Sequence, residues 1–110
     1  MSDQVSTQYH RAAALDDVSP GEVLGVVVEG HRICLANVEG HIYAVRDNCT
    51  HQDFPLSEGV LDEDEASIEC AWHGARFDLA TGRALSLPAV KPVKTYEVKV
   101  DEGQIYVALD

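Results

Sequence analysis

Two cysteines and two histidines stand in this chain as two short pairs, Cys49-Thr50-His51 and Cys70-Ala71-Trp72-His73, with eighteen residues between them. Each pair is short enough to sit on one loop, and a Cys-x-His or Cys-x-x-His spacing lets both side chains aim at a common centre. One such pair arises easily by chance. Two of them present two sulfur and two nitrogen donors, which is a ligand set for a metal.

Two kinds of centre compete for that set. Zinc takes two Cys and two His tetrahedrally, but its usual fingers pair Cys with Cys and His with His. Here each pair holds one of each. A 2Fe–2S cluster with mixed ligation accounts for this better, with two thiolates on one iron and two imidazoles on the other. Each loop then supplies one ligand to each iron. The expected metal and cofactor ligands are Cys49, His51, Cys70 and His73, with one cluster per chain. No nucleophile–base set or phosphate-cradling Gly loop is present, so no catalytic residue is assigned.

At these residues the chain resembles the Rieske family, whose motif is Cys-x-His, a gap of similar length, and Cys-x-x-His. Similar stretches extend over nearly the whole chain: Asp16 to Gly21, Gly40, Tyr43-Ala44, Leu56-Ser57-Glu58-Gly59, Gly74 to Asp78, Thr81-Gly82 and Leu87-Pro88-Ala89. The resemblance implies an all-β fold, an antiparallel Rieske-like β-sandwich with a small cluster-binding subdomain of about 47–78 formed by two loops. It further implies that Cys49 and Cys70 bind the inner iron and His51 and His73 the outer one, with Ser86-Leu87-Pro88 as a third covering loop. Respiratory members carry an extra Cys on each loop, joined as a disulfide. This chain has Asp53 or Phe54 and Trp72 in those places, and so looks like the soluble ferredoxin branch.

The implied function is a one-electron carrier, similar to the ferredoxin components of bacterial aromatic-ring dioxygenase systems, with a flavin-dependent reductase as donor and an oxygenase as acceptor. The alternatives are a small subunit or accessory domain of a nitrite-reductase-type complex, or a zinc-stabilised binding module. Replacing thiolates by imidazoles raises the potential into a range of about −150 to +300 mV. High-potential relatives place a Ser after the His-Gly and a Tyr two positions on. Here Ala75 and Phe77 stand there, so the low end of the range is expected.

A chain of 110 residues, 45% of them hydrophobic, suits one domain over 1–110 with a modest core. No apolar run is long enough to span a membrane, and the polar stretch Met1 to Gln8 does not read as a signal peptide. A cytoplasmic monomer is expected. The net charge of −11 excludes nucleic acid as a natural partner. Acidic groups at Asp16-Asp17, Glu58, Asp62 to Glu65 and Asp101-Glu102 serve solubility, or steer the chain to a basic partner surface. Cys34 is left over and reads as a buried thiol.

The elements that must position the two loops follow from pattern. Gln8 to Leu15 reads as a strand, and Asp16 to Gly21 as a turn. The Val-rich run Glu22 to Glu29 reads as a strand buried on both faces. Glu29-Gly30 and Glu39-Gly40 are turns in a meander that continues through His31 to Asn37 and His41 to Arg46. The third strand of this meander delivers the first loop. Residues 62–65 form an exposed hairpin tip, Ser67 to Cys70 leads into the second loop, and Ala75 to Leu79 leads out. Thr95 to Val100 and Gln104 to Leu109 make a final hairpin.

Overall fold

The computed structural model describes residues 8–49, 55–71, 74–85 and 91–109. Among them the regular structure is antiparallel β. The strands are β1 (Tyr9–Ala14), β2 (Val23–Val28), β3 (His31–Val38), β4 (His41–Arg46), β5 (Val60–Asp62), β6 (Ser67–Glu69), β7 (Arg76–Asp78), β8 (Thr95–Tyr96), β9 (Val98–Asp101) and β10 (Gln104–Ala108). They form three sheets, in the orders β1-β10-β9, β2-β3-β4-β8 and β5-β6-β7.

Local chemistry explains the hairpins. Glu29-Gly30, Glu39-Gly40 and Glu102-Gly103 all have both residues at positive φ, between 49° and 97°. That is the backbone of a two-residue turn whose twist matches its flanking strands, and glycine at the second place removes the steric penalty. The turns set the register Val28↔His31, Val38↔His41 and Gln104↔Asp101.

Strand β3 holds the architecture together. Its period of two sends Ile33 and Leu35 into a core shared with Val28, Ile42, Ala44, Tyr96, Ile105 and Val107. The alternate residues Cys34, Ala36 and Val38 enter a second core with Val45, Cys49, Leu56, Ile68, Cys70, Phe77 and Leu79. The four-stranded sheet is therefore the middle layer. One face packs on β1 and β10, the other on the small sheet, whose β6–β7 connection carries Cys70.

Two expectations change. The strand buried on both faces is β3, whereas β2 is an edge strand whose Val27 is 70% exposed. A continuous apolar run does not by itself say which neighbours a strand has. The run from Thr95 to Val100 is also not one strand. Thr95 and Tyr96 pair with Val45 and Ala44 of the middle sheet, and Val98 to Asp101 pair with β10. The switch falls at Glu97, whose carbonyl accepts the Ala108 N–H at 3.0 Å. Such a corner lets one chain segment close two sheets.

Burial, and secondarily the negative charge of Asp47, pushes the Cys34 thiol far up from its ordinary pKa. The folded chain thus keeps this proton at pH values where the unfolded chain releases it, so stability falls as pH rises above about 8.5, by up to ~1.4 kcal/mol per unit. Denaturant unfolding of wild type and Cys34→Ala between pH 7 and 10 should show a shallower alkaline decline in the variant. Parallel declines would refute the assignment.

Candidate metal centre

The first loop leaves β4 at Arg46, whose N–H donates to the Lys94 carbonyl at 2.8 Å. Asp47 follows, its N–H donating to the Arg32 carbonyl at 2.9 Å. Cys49 then turns inward and is 2% exposed. The chain re-enters the described residues at Pro55 and makes a short 3-10 turn over Leu56–Glu58 that buries Leu56 fully. Here Ser57 donates its N–H to Asp47 Oδ1 at 2.6 Å and its hydroxyl to Asp47 Oδ2 at 2.7 Å. The loop that holds Cys49 is thereby closed at its base.

The second loop is the tip of the β6–β7 hairpin. The Cys70 N–H donates to the Ala75 carbonyl at 2.7 Å, and the Gly74 N–H donates to the Cys70 carbonyl at 2.9 Å. Gly74 sits at φ 74°, a left-handed conformation that suits glycine at this bend. Cys70 is fully buried, as are Ala75 and Phe77. The two loops meet through Gly59, where a Cβ would lie 2.0 Å from the Glu69 carbonyl oxygen. Glu69 immediately precedes Cys70, so the end of the first loop rests directly on the strand that delivers the second.

Cys49 and Cys70 thus reach one apolar core from separate elements, beside Leu56, Ile68, Ala75, Phe77 and Leu79. No disulfide joins them or Cys34. Buried thiolates are costly unless a cation neutralises them, so two buried cysteine sulfurs on opposed loops suit a metal centre that is soft and sulfur-liganded. The donor set fits a 2Fe–2S cluster. His51, His73, Asp53, Phe54, Trp72 and the Ser86-Leu87-Pro88 loop lie outside the described residues. Among the described residues no group of three His, Cys, Asp or Glu side chains forms a metal site.

The charged surface is less uniform than the composition suggests. The acidic tip is partly tied down: Arg76 pairs with Glu65 and, at 3.7 Å, with Asp62, while a Glu63 carboxylate oxygen accepts the Glu39 N–H at 3.2 Å. On the middle sheet, a recess of about 400 Å³ is lined by His31, Arg32, Arg46, Asn48, Lys94 and Tyr96, at the strand ends that lead into the first loop.

Sequence reading passed over Asp47, Ser57 and Gly25 as contributors to the site. The signal for them was a glycine inside the Val-rich β2, which marks a close approach of other atoms to the backbone. The φ of Gly59, −90°, is ordinary, so this residue is glycine for want of space. Gly59→Ala should cost ~1–3 kcal/mol of stability through overpacking. A denaturant midpoint equal to wild type would show that the Glu69 strand can simply move away.

A model of the Rieske [2Fe-2S] domain matches residues 8–97. Over 105 residues the chain is 42% identical to the ferredoxin component of the naphthalene 1,2-dioxygenase system of Pseudomonas putida, covering 96% of this chain and 99% of that one. The ferredoxin of carbazole 1,9a-dioxygenase from Nocardioides aromaticivorans IC177 superposes with a TM-score of 0.89 at 35% identity, covering 94% of this chain and 99% of that chain. A structure described as a complex of reduced oxygenase and oxidized ferredoxin in carbazole 1,9a-dioxygenase matches at a TM-score of 0.84 and 38% identity, covering 94% of each chain. These likenesses set aside the zinc-stabilised module. The chain belongs to the Rieske [2Fe-2S] family, as an electron-carrying ferredoxin with a 2Fe–2S cluster rather than a catalyst in its own right.

Proposed function

We propose that this ferredoxin passes single electrons from a flavin-dependent reductase to the terminal oxygenase of an aromatic-ring dioxygenase system. In this reading Cys49 and Cys70 hold the inner iron, His51 and His73 the outer iron, and residues of about 47–78 form the cluster-binding subdomain. The observation that carries it is the convergence of two buried cysteines, from the first loop and the β6–β7 hairpin, on one apolar core. The relative seen with its oxygenase supports the choice of acceptor. The cytoplasm is the proposed compartment, since its reducing conditions suit three cysteines without a disulfide. Among the described residues, no helix is long and apolar enough to cross a membrane. We take the working form to be a monomer.

When bound, the cluster supplies a site that gains and loses one electron without bond making in the protein. The chain's own part is to hold the sulfurs in a dry, fixed setting and to set the potential through nearby hydrogen bonds and charges. Fully buried Ala75 and Phe77 bring no hydroxyl to that setting. Fewer hydrogen bonds to sulfur leave the reduced state less stabilised, which supports a potential at the low end of the family's range.

Electron paramagnetic resonance of the dithionite-reduced protein tests the ligand assignment. A rhombic signal with an average g below that of all-cysteine clusters is expected, and it should vanish in Cys49→Ala and in Cys70→Ala. An all-cysteine-type signal, or a colourless zinc protein, would overturn the assignment. Ala75→Ser should raise the midpoint potential, by on the order of 59 mV if the new hydroxyl favours the reduced state tenfold. An unchanged or lower potential with an intact signal would refute the hydrogen-bond argument.

A further inference from the structure

Asp47 is a buried acid, 7% exposed, two positions before Cys49. Both of its carboxylate oxygens accept hydrogen bonds, Oδ1 from the Ser57 N–H at 2.6 Å and Oδ2 from the Ser57 hydroxyl at 2.7 Å. Acceptance on both oxygens is the pattern of an ionised carboxylate. Its backbone is pinned as well: the N–H donates to the Arg32 carbonyl at 2.9 Å, and Arg32 Nη2 donates to the Asp47 carbonyl at 3.3 Å.

Gly25 makes room for this arrangement. A Cβ at that position would lie 2.6 Å from Ser57 Oγ and 2.8 Å from Asp47 Oδ2. Gly25 faces Cys34 in the register of β2 and β3, and the Asp47 charge is one of the causes that push the Cys34 thiol up. Cys34 shares its core with Cys49 and Cys70. The field of this carboxylate therefore reaches the core into which both ligand cysteines are packed. Two peptide units separate the Asp47 and Cys49 Cα atoms, so they lie within about 7 Å.

We propose that Asp47 is a positioning and potential-setting residue of this ferredoxin: through Ser57 it latches the loop that carries Cys49, and its fixed negative charge holds the reduction potential down. The inference rests on the cluster assignment proposed above. Reduction adds one electron and no proton to the core near Asp47. No bond forms or breaks at the carboxylate, and the added charge is disfavoured by the one already there. The interior screens this repulsion far less than water does. The latch acts through chain geometry: it ties residues ten apart, with Cys49 between them.

Two variants separate charge from latch because they act from opposite sides on the bond between the Ser57 hydroxyl and Asp47 Oδ2, while the backbone N–H at position 57 can still donate to the Oδ1 side in both. Asp47→Asn keeps the shape and removes the charge, while Ser57→Ala keeps the charge and removes the hydroxyl dipole that offsets it. Purely structural loosening would move the potential the same way in both. The charge role requires opposite shifts. Asp47→Asn should raise the midpoint by on the order of 59 mV, a tenfold change in the oxidised-to-reduced ratio. Ser57→Ala should lower it. Both variants, and Gly25→Ala by steric displacement, should speed iron loss to a chelator several-fold and weaken hydrogen-exchange protection of the backbone amide at position 57 in the holoprotein.

Shifts of the same sign would overturn the charge role, and a raised or unchanged potential in Ser57→Ala would overturn it even where Asp47→Asn fails to assemble. Unchanged iron loss in Gly25→Ala, whose Cβ would displace both partners, would overturn the latch, and unchanged loss in Ser57→Ala would overturn the part given to the hydroxyl. A wild-type protein without the mixed-ligation signal would overturn the cluster assignment and this inference with it. A normal wild-type signal with unresponsive variants would overturn this inference alone.

Discussion

Strand β3 must bury both of its faces, and most of the structure follows from that constraint. Ile33 and Leu35 fill the core toward β1 and β10, while Cys34, Ala36 and Val38 fill the core toward the small sheet. A strand so placed cannot slip by one residue without moving its whole set of side chains from one core to the other. Its neighbour β4 is held in register along six residue pairs. Because β4 runs directly into Asp47 and Cys49, the register of the middle sheet fixes where the first loop begins.

The small sheet performs the matching task for the second loop. Its strands are three residues each, too few to be stable alone, and they persist because Ile68, Phe77 and Leu79 share a core with the middle sheet. Gly59 brings the end of the first loop onto the backbone of Glu69 with no room for a side chain. The described ends of the two cysteine loops are thus packed against each other. An electron carrier gains from such rigidity, because a site that keeps its geometry when its charge changes has little reorganisation to undergo.

The electrostatic setting is local rather than global. A net charge of −11 describes the chain as a whole. Yet the strand ends leading into the first loop carry Arg32, Arg46 and Lys94, and among the described residues the buried charge beside Cys49 is the carboxylate of Asp47. A surface charge acts through water and salt, which weaken it within about 10 Å. A buried one acts through protein. The few charges that touch the loops therefore matter more to the electron than the many acids elsewhere.

The sequence by itself determined the ligand candidates, because Cys and His are the donors that suit such a centre and their spacing is local. It also determined the Glu-Gly turns, whose positive φ is a property of adjacent residues, and the antiparallel β class that those turns and the alternating runs imply. Only the tertiary structure decided which strand was buried on both faces, where the chain crosses between sheets at Glu97, and why Gly25 and Gly59 are glycines. The same holds for the pairing of Asp47 with Ser57. Each of these depends on which distant residues come to lie alongside. Such neighbours are chosen by packing over the whole molecule, and no spacing along the chain encodes them.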